Sequence, residues 1–269
     1  MVFKKMAWIA LAIALVVPSV SRAANLVSNG DFENLTGTLL ALSDGTNTPV
    51  TGWTVASGGG GAGTIYGFVF NPTYVDSTGI SVAQGSPVAD ANIQLWGPNN
   101  TSGNGANSIN GLGESPTLGN YIAIDTDPSH NGSISQTLTT VIGQTYTVSF
   151  DYAEAQYRQG SGTNWNGATQ GQWKVSFGGS SQETTLLTIA SHGFSGWQHA
   201  DLVFTATDTS TVLSFLSENG TGGLPPVALL DGVSVTSSTV PEPGTLSLAG
   251  LGIAGMALAV ARRRAKSAV

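Results

Sequence analysis

The stretch that decides the fold is Thr145–Tyr152, which reads TYTVSFDY. Its apolar residues Tyr146, Val148, Phe150 and Tyr152 alternate with polar ones. Because the side chains of a β-strand point alternately to opposite faces, a period of two predicts a strand with one face buried.

Similar runs of β-forming residues, separated by Gly, Asn, Ser and Thr, recur through the body of the chain, Ala24–Thr239. No helical periodicity and no repeat of 20–50 residues interrupts them, so the pattern predicts one all-β domain. Three glycine-rich or asparagine-rich stretches are predicted to be loops: Thr54–Gly63, Pro98–Gly113 and Ala155–Gly171. The predicted strands are Thr64–Phe70, Asn92–Trp96, Gly119–Asp125, Gly132–Leu138, Thr145–Tyr152, Gln172–Phe177, Thr184–Ile189, Gln198–Thr205, Thr211–Ser217 and Val227–Thr236.

Composition excludes several classes of protein. Charged residues make up 9% of the chain, against about 25% in an average protein. The absence of Cys excludes a disulfide scaffold and a cysteine zinc site. Arg158 and Lys174 are the only basic residues of the body, against 15 acidic ones, which gives the body a net charge of −13. This sign excludes a nucleic-acid binder, because phosphate recognition needs clustered Lys and Arg.

The first 23 residues have the features of a secretory signal peptide. Lys4 and Lys5 precede the apolar stretch Met6–Val17, and Ser21-Arg22-Ala23 places small residues before a cleavage position. A membrane anchor is the alternative, but 12 apolar residues span only ~18 Å, short of a ~30 Å hydrocarbon core. We therefore predict a signal helix over 1–23 and export through the Sec pathway.

The other end of the chain combines three elements over residues 240–269. A VPEPG segment, Val240–Gly244, precedes 17 uncharged residues, Thr245–Ala261, and three consecutive arginines follow at once. An uncharged run of this length is at the lower limit for a membrane-spanning helix. Basic residues after such a helix predict that the tail, 262–269, faces the cytoplasm and that the body lies outside.

This arrangement resembles the PEP-CTERM sorting signal of Gram-negative bacteria. The residues that carry the resemblance are Pro241, Glu242, Pro243, Arg262, Arg263 and Arg264. In that family the signal is recognised by an exosortase, a membrane transpeptidase that acts near the motif. The resemblance implies an exported surface protein of the kind often linked to exopolysaccharide or biofilm, and it implies nothing about the chemistry of the body.

A second resemblance covers most of residues 25–236. Several short motifs follow one another in the order found in the galactose-binding-like jelly roll of carbohydrate-binding modules. They are Asn29–Glu33 (NGDFE), Gly52-Trp53, Gly132–Gln136, Gly143–Phe150, Gly196–Gln198 and Leu229–Val235. The segments between Trp53 and Gly119 and over Ala155–Gly171 do not match. The resemblance implies a jelly-roll β-sandwich whose ligand surface differs in those segments.

The jelly-roll resemblance also implies a structural calcium ion. In related domains carboxylates hold calcium where the first strand meets the last, and Glu33 and Asp231 occupy the matching positions. Calcium prefers such hard oxygen ligands. Two alternatives remain open, because Asp231 could cap a turn and Glu33 could be solvated.

The sequence offers no catalytic motif. His130, His192 and His199 show no metal-binding spacing, and no Gly-x-Ser-x-Gly elbow is present. A pair of carboxylates such as Asp151 and Glu154 could serve a glycosidase, but spacing along a strand does not give their separation. We therefore expect a non-catalytic domain.

Sugar binding needs aromatic side chains at the surface. Trp53, Trp173 and Trp197 have core contexts. Trp96, at the end of a predicted strand and directly before Gly-Pro-Asn-Asn, and Trp165, between two asparagines, have loop contexts. The candidate sugar-binding residues are Trp96, Trp165, Tyr157 and Arg158.

The sequence as a whole predicts an exosortase-sorted surface protein with a signal peptide over 1–23, a jelly-roll body over 24–239 and a sorting signal over 240–269. We expect the body to bind polysaccharide. The alternatives are a structural matrix or surface-layer protein without a specific ligand, and a carbohydrate-active enzyme.

Overall fold

A computed structural model describes residues 24–36, 41–42, 49–58, 65–70, 80–81, 92–96, 115–159, 165–220 and 224–238, together with Gly250, Gly252 and Gly255. Ala24–Ser238 forms one compact unit. A second unit comprises Met1–Ala23 and Thr239–Val269, in which the three glycines are helical. The signal helix, the sorting residues and the apolar run otherwise lie outside the described residues.

The body is an antiparallel jelly-roll β-sandwich, which confirms the predicted fold class. Its strands are β1 (Ala41–Leu42), β2 (Thr54–Ser57), β3 (Gly67–Phe70), β4 (Ile80–Ser81), β5 (Asn92–Leu95), β6 (Tyr121–Asp125), β7 (Gly132–Thr139), β8 (Thr145–Gln159), β9 (Thr169–Phe177), β10 (Ser180–Glu183), β11 (Leu187–Ile189), β12 (Gln198–Thr205), β13 (Ser210–Glu218) and β14 (Pro226–Ser237).

The described strands form two sheets. The larger has eight strands in the order β1-β3-β6-β14-β8-β5-β4, with β12 paired to the first half of β8. The smaller has six, in the order β10-β9-β13-β7-β2, with β11 paired to β9. Every pairing among these strands is antiparallel, and β13, predicted as the strand Thr211–Ser217, lies between β9 and β7.

The main hydrophobic core lies between the two sheets. The alternating residues of the opening motif, Tyr146, Val148, Phe150 and Tyr152, all belong to it. Phe150 meets Phe215 of the opposite sheet edge to face, with ring centroids 5.0 Å apart. Trp173 is fully buried in the same core and donates its indole N–H to the Leu229 carbonyl at 2.9 Å. Trp53, 3% exposed, is also a core residue, as predicted.

The segment before β1 runs beside the last strand. Leu26 N–H donates to the Val235 carbonyl at 2.9 Å, and Val233 N–H donates to the Gly30 carbonyl at 2.9 Å. Gly30 is required at this crossing, because a Cβ there would overlap the Val233 carbonyl oxygen. The chain therefore brings the NGDFE motif against the end of the body.

Two loop predictions are wrong. Thr54–Ser57, expected in a loop, forms β2 and pairs with Ser135–Gly132 of β7. Ala155–Gln159, also expected in a loop, continues β8, and β9 begins at Thr169 rather than Gln172. The predicted loop Pro98–Gly113 lies outside the described residues.

Among the residues that the structure describes, no helix is long and apolar enough to cross a membrane.

Candidate functional site

A second hydrophobic cluster covers the face of the eight-stranded sheet that points away from the six-stranded one. Along β6, Ile122 and Ile124 enter the main core, whereas Tyr121 and Ala123 point to the opposite face. We call this second cluster the outer cluster. Its buried members are Phe68, Phe70, Leu95, Tyr121, Ala123, Ala153, Ala155, Tyr157, Val227 and Leu229, and the partly buried Tyr66, Trp165, Phe194 and Trp197 pack against them.

The outer cluster contains two buried polar atoms. Trp197 packs edge to face on Tyr121, with ring centroids 5.4 Å apart. In the described part of the chain, neither Tyr121 Oη nor Trp197 Nε1 has a hydrogen-bond partner. Burial, with a smaller contribution from the charge of Asp231, raises the pKa of Tyr121 well above its usual value. Among the described residues, the Tyr121 hydroxyl and the Trp197 indole N–H are therefore buried donors without an acceptor.

The structure corrects the expected position of Trp96. This residue directly follows β5 and is fully buried rather than exposed in a loop. Its ring stacks on His192 with centroids 4.1 Å apart and planes 21° apart. His192 adopts a φ of 60° and is held in place through its backbone N–H, which donates to Gln156 Oε1 at 2.7 Å. Trp96 thus presents no open ring face on which a sugar could stack.

Tyr157 and Arg158 lie in β8 and not in a loop. Tyr157 is 5% exposed, and its hydroxyl donates to the Tyr66 carbonyl at 3.3 Å. It is therefore part of the floor of the outer cluster and does not reach the surface. Arg158 pairs through its backbone with Gln94 of β5, and its side chain lies outside the described atoms.

Trp165 and Trp197 are the tryptophans that remain partly exposed on the outer cluster. Trp165 precedes β9, and its carbonyl lies 3.1 Å from His192 Nε2. Trp197 precedes β12 and follows Gly196, whose φ of 79° turns the chain. Trp165 keeps the loop position that was predicted, whereas Trp197 was expected in the core and is instead only partly buried.

The two predicted calcium ligands contact opposite ends of one segment, 115–120. Glu33 accepts a hydrogen bond from the Asn120 backbone N–H. Asp231 is fully buried and accepts hydrogen bonds from the Ser115 and Thr117 hydroxyls. Burial is the main cause that raises the pKa of Asp231 to about 6.

This segment supplies oxygen atoms of the kind that calcium prefers, since the Ser115 and Thr117 hydroxyls lie beside the Asp231 carboxylate. Within the described residues, however, no three His, Cys, Asp or Glu side chains are grouped as a metal site would require. The residues that would hold calcium are therefore Glu33 and Asp231 with neutral oxygens of segment 115–120. Calcium binding remains a prediction.

An acidic row crosses the outer face of the sheet beside the outer cluster. Asp231 of β14 pairs with Asp151 of β8, which pairs with His199 of β12. His199 Nδ1 lies 2.8 Å from Asp151 Oδ1, and its Nε2 lies 3.5 Å from Asp201 Oδ1. The hydrogen bond to Asp151 is the main cause that raises the pKa of His199. No sequence motif marks this row, because only the strand register brings its members together.

Asp151 and Glu154, the carboxylate pair considered for a glycosidase, do not face each other. Asp151 lies in the acidic row on the outer face. Three residues along a strand reverse the direction of a side chain, and Glu154 points between the sheets, where its carboxylate lies against Gly171 of β9.

The polar end of the space between the sheets is the feature that sequence reasoning missed. Among the described residues, the buried atoms Glu154 Oε1 and Oε2, Gln156 Nε2 and Thr169 Oγ1 have no hydrogen-bond partner. Burial raises the pKa of Glu154 well above its usual value, and the nearby charge of Asp125 raises it further. Burial also raises the pKa of Asp125 to about 8. Among the described residues, the main core therefore ends in buried polar side chains at Glu154, Gln156 and Thr169.

Comparison with known proteins adds two matches to family models. Residues 119–234 match DUF642, a family of proteins of unknown function. Residues 239–264 match the PEP-CTERM protein-sorting motif. No curated protein matches the chain.

Several solved structures are similar at low sequence identity. TmCBM61, solved in complex with beta-1,4-galactotriose, is 14% identical with a TM-score of 0.38, and the match covers 80% of this chain and 100% of that one. The CBM22-1 xylan-binding domain of Xyn10C from Paenibacillus barcinonensis is 13% identical with a TM-score of 0.34, and the match covers 82% and 99%. A CBM4 structure is 16% identical with a TM-score of 0.35, and the match covers 78% and 99%.

The sorting motif confirms the first resemblance found in the sequence, and such a motif implies export to the surface of a Gram-negative bacterium and processing by an exosortase. The chain is therefore a jelly-roll β-sandwich protein that carries a PEP-CTERM protein-sorting motif after its body.

Proposed function

We propose that the body is a non-catalytic glycan-binding module and that the outer cluster is its binding face. The observation that carries the proposal is the set of four partly exposed aromatic side chains, Tyr66, Trp165, Phe194 and Trp197, gathered on one face of one sheet. Aromatic rings bind the apolar faces of sugar rings, while neighbouring polar groups fix their orientation.

The polar groups required for such a site lie beside the aromatic ones. Tyr121 Oη and Trp197 Nε1 have no acceptor in the part of the chain that the structure describes, and a sugar hydroxyl oxygen can accept from either after a small shift of the Trp197 ring. The carboxylates of the acidic row, Asp151 and Asp201, can accept hydrogen bonds from sugar hydroxyls.

The negative charge of the body favours a neutral glycan over an anionic one. The body carries a net charge of −13 and the outer face carries the acidic row, so an anionic polymer would be repelled. We therefore propose a neutral polysaccharide of the envelope or of a biofilm matrix as the ligand. If calcium binds at Glu33 and Asp231, it would reduce this repulsion locally.

We further propose that the apolar run Thr245–Ala261 holds the chain in the membrane until an exosortase processes it near Pro241–Pro243. The match to the sorting motif supports the exosortase step. The length and lack of charge of the run support the anchor.

The test is a glycan-array screen of the purified body, residues 24–238, in calcium and in chelator. We expect saturable binding to a neutral glycan, reduced at least tenfold by Trp165→Ala and by Trp197→Ala. Leu186→Ala, an exposed apolar residue that belongs to neither hydrophobic cluster, is the control. Absence of saturable binding, together with self-association in calcium, would instead favour the structural matrix role. Release of reducing sugar would favour the enzyme.

A further inference from the structure

The turn between β7 and β8 presents two consecutive aliphatic side chains to solvent. Val141 is 64% exposed and Ile142 is 62% exposed, the two highest values among the large hydrophobic residues that the structure describes. Isolated exposed apolar residues are ordinary, whereas contiguous exposed apolar surface marks sites of interaction with proteins or membranes.

The exposure is imposed by the backbone. Gly143 has a φ of 78°, and Gln144 N–H donates to the Val141 carbonyl at 3.0 Å to close the turn. Val141 N–H donates to the Tyr146 hydroxyl at 2.9 Å, and Gly143 N–H donates to the Ala206 carbonyl at 2.8 Å. These bonds hold the turn against the body, so its two side chains cannot fold back into the core.

The chain leaves the body beside this turn. Ser238 N–H donates to the Thr145 carbonyl at 2.9 Å, and Gln144 Nε2 donates to the Ser238 carbonyl at 2.9 Å. Six residues, 239–244, then precede the apolar run that starts at Thr245. Since an extended chain covers about 3.3–3.6 Å per residue, a connection of this length reaches at most about 25 Å.

We propose that Val141 and Ile142 form a membrane-docking tip that enters the interfacial layer of the lipid bilayer while the apolar run is anchored. This inference rests on the anchoring part of the proposed function. The short connection keeps this end of the body near the bilayer, and tethering makes even a small apolar contact effective, because the local concentration of lipid is high.

Lipid fits this tip better than a protein partner does. Stable protein interfaces bury about 1,200–2,000 Å², far more than two side chains supply. The sequence from Thr139 to Val148 carries no charge, so nothing in the turn opposes contact with zwitterionic headgroups. Asp208 is the nearby acidic residue that would disfavour anionic lipid, and its backbone carbonyl accepts from Thr140 Oγ1 at 2.6 Å.

The absence of cysteine in the chain allows a direct test. The full chain carrying Ile142→Cys is labelled with a polarity-sensitive fluorophore and reconstituted into phosphatidylcholine vesicles with nitroxide-labelled lipids. Leu186→Cys is the control. The neighbouring residue Leu187 pairs with Gly171 near the start of β9, and the strand registers place this position about 35 Å from the turn between β7 and β8. Vesicle flotation of the same samples reports anchoring, and thermal melting reports folding.

We expect a blue shift and at least twofold quenching by lipid nitroxide at position 142, with neither at 186. Flotation without quenching at 142 would overturn the docking tip and leave the anchor intact. Loss of flotation would overturn the anchor and the docking tip together. A blue shift without lipid quenching, accompanied by a cross-linked dimer, would assign the tip to a second copy of the chain and overturn the inference.

Discussion

The Glu154 carboxylate occupies the space that a side chain would fill at Gly171: a Cβ built on Gly171 would lie 2.5 Å from Glu154 Oε1 and 2.6 Å from Oε2. A glycine in the middle of a strand is ordinarily unfavourable, because it packs nothing. Here its missing side chain makes room for a buried acid on the opposite sheet. The polar end of the sandwich therefore depends on a pair of residues, one in β8 and one in β9.

This pairing predicts that Gly171→Ala lowers the free energy of unfolding by about 2 kcal/mol, because the added methyl group overpacks the site. In a Glu154→Ala background the same substitution should cost less than half as much. Denaturant unfolding of the four proteins of this cycle measures the coupling. Gly179→Ala is the control, since a Cβ there meets no atom within 4 Å. Equal costs in both backgrounds would contradict the pairing.

The stability of the body should fall as the pH rises from about 4 to about 8. Burial raises the pKa of Asp125 to about 8, so the folded protein retains a proton that the unfolded chain has already released. The raised pKa of Glu154 acts in the same direction. Asp125→Asn should flatten the decrease and stabilise the body at pH 8 by a few kcal/mol, since one pKa unit corresponds to about 1.4 kcal/mol.

Chemical unfolding at intervals between pH 4 and pH 8 measures this effect, with Asp208→Asn, at an exposed turn, as the control. A slope that Asp125→Asn leaves unchanged would show that Asp125 is not the group that titrates.

Substitutions of two tryptophans should distinguish effects on stability from effects on glycan binding. Trp96 is fully buried against His192, so Trp96→Ala should lower the free energy of unfolding by about 3–5 kcal/mol. Trp197 is partly exposed, so Trp197→Ala should weaken glycan retention at least tenfold at a smaller cost in stability. Affinity electrophoresis in polysaccharide gels, run beside denaturant unfolding, compares them. Full retention by a folded Trp197→Ala variant would count against the outer cluster as the binding face.

Calcium should raise the melting temperature of the body, and a chelator should lower it, if Glu33 and Asp231 hold an ion. Asp231→Asn or Glu33→Gln should then remove the difference between the two conditions. Differential scanning calorimetry in calcium and in chelator provides the measurement. Melting that is insensitive to the chelator in the unsubstituted protein would rule out the predicted site.

The sequence predicted those strands best in which polar and apolar residues alternate. Gln198–Thr205 was predicted with the bounds that β12 has, and the apolar positions of Thr145–Tyr152 lie in the main core. The prediction failed where β8 continues, because Glu154 and Gln156 are buried polar residues among alanines. Their environment is set by β9 and by the turn at His192, which no local pattern reveals.

Prediction of the candidate functional site from the sequence has the same limit. The jelly-roll resemblance implied that Glu33 and Asp231 lie near one another, and both contact segment 115–120. The outer cluster depends instead on which residues of each strand point to the same face. Tyr121, Ala153 and Tyr157 share a face because each strand has a fixed register with its neighbour. A single sequence does not reveal that register.

A sheet covered by hydrophobic layers on both faces has a consequence for how this protein can vary. In β8, Phe150 and Tyr152 pack in the main core of the sandwich, whereas Ala153, Ala155 and Tyr157 pack in the outer cluster. Neighbouring positions of one strand are therefore under different constraints. One set must preserve the fold, and the other set must suit the ligand or surroundings of the outer face. Substitutions at the positions that point outward can therefore change the outer face, while the positions that point into the sandwich keep the domain folded.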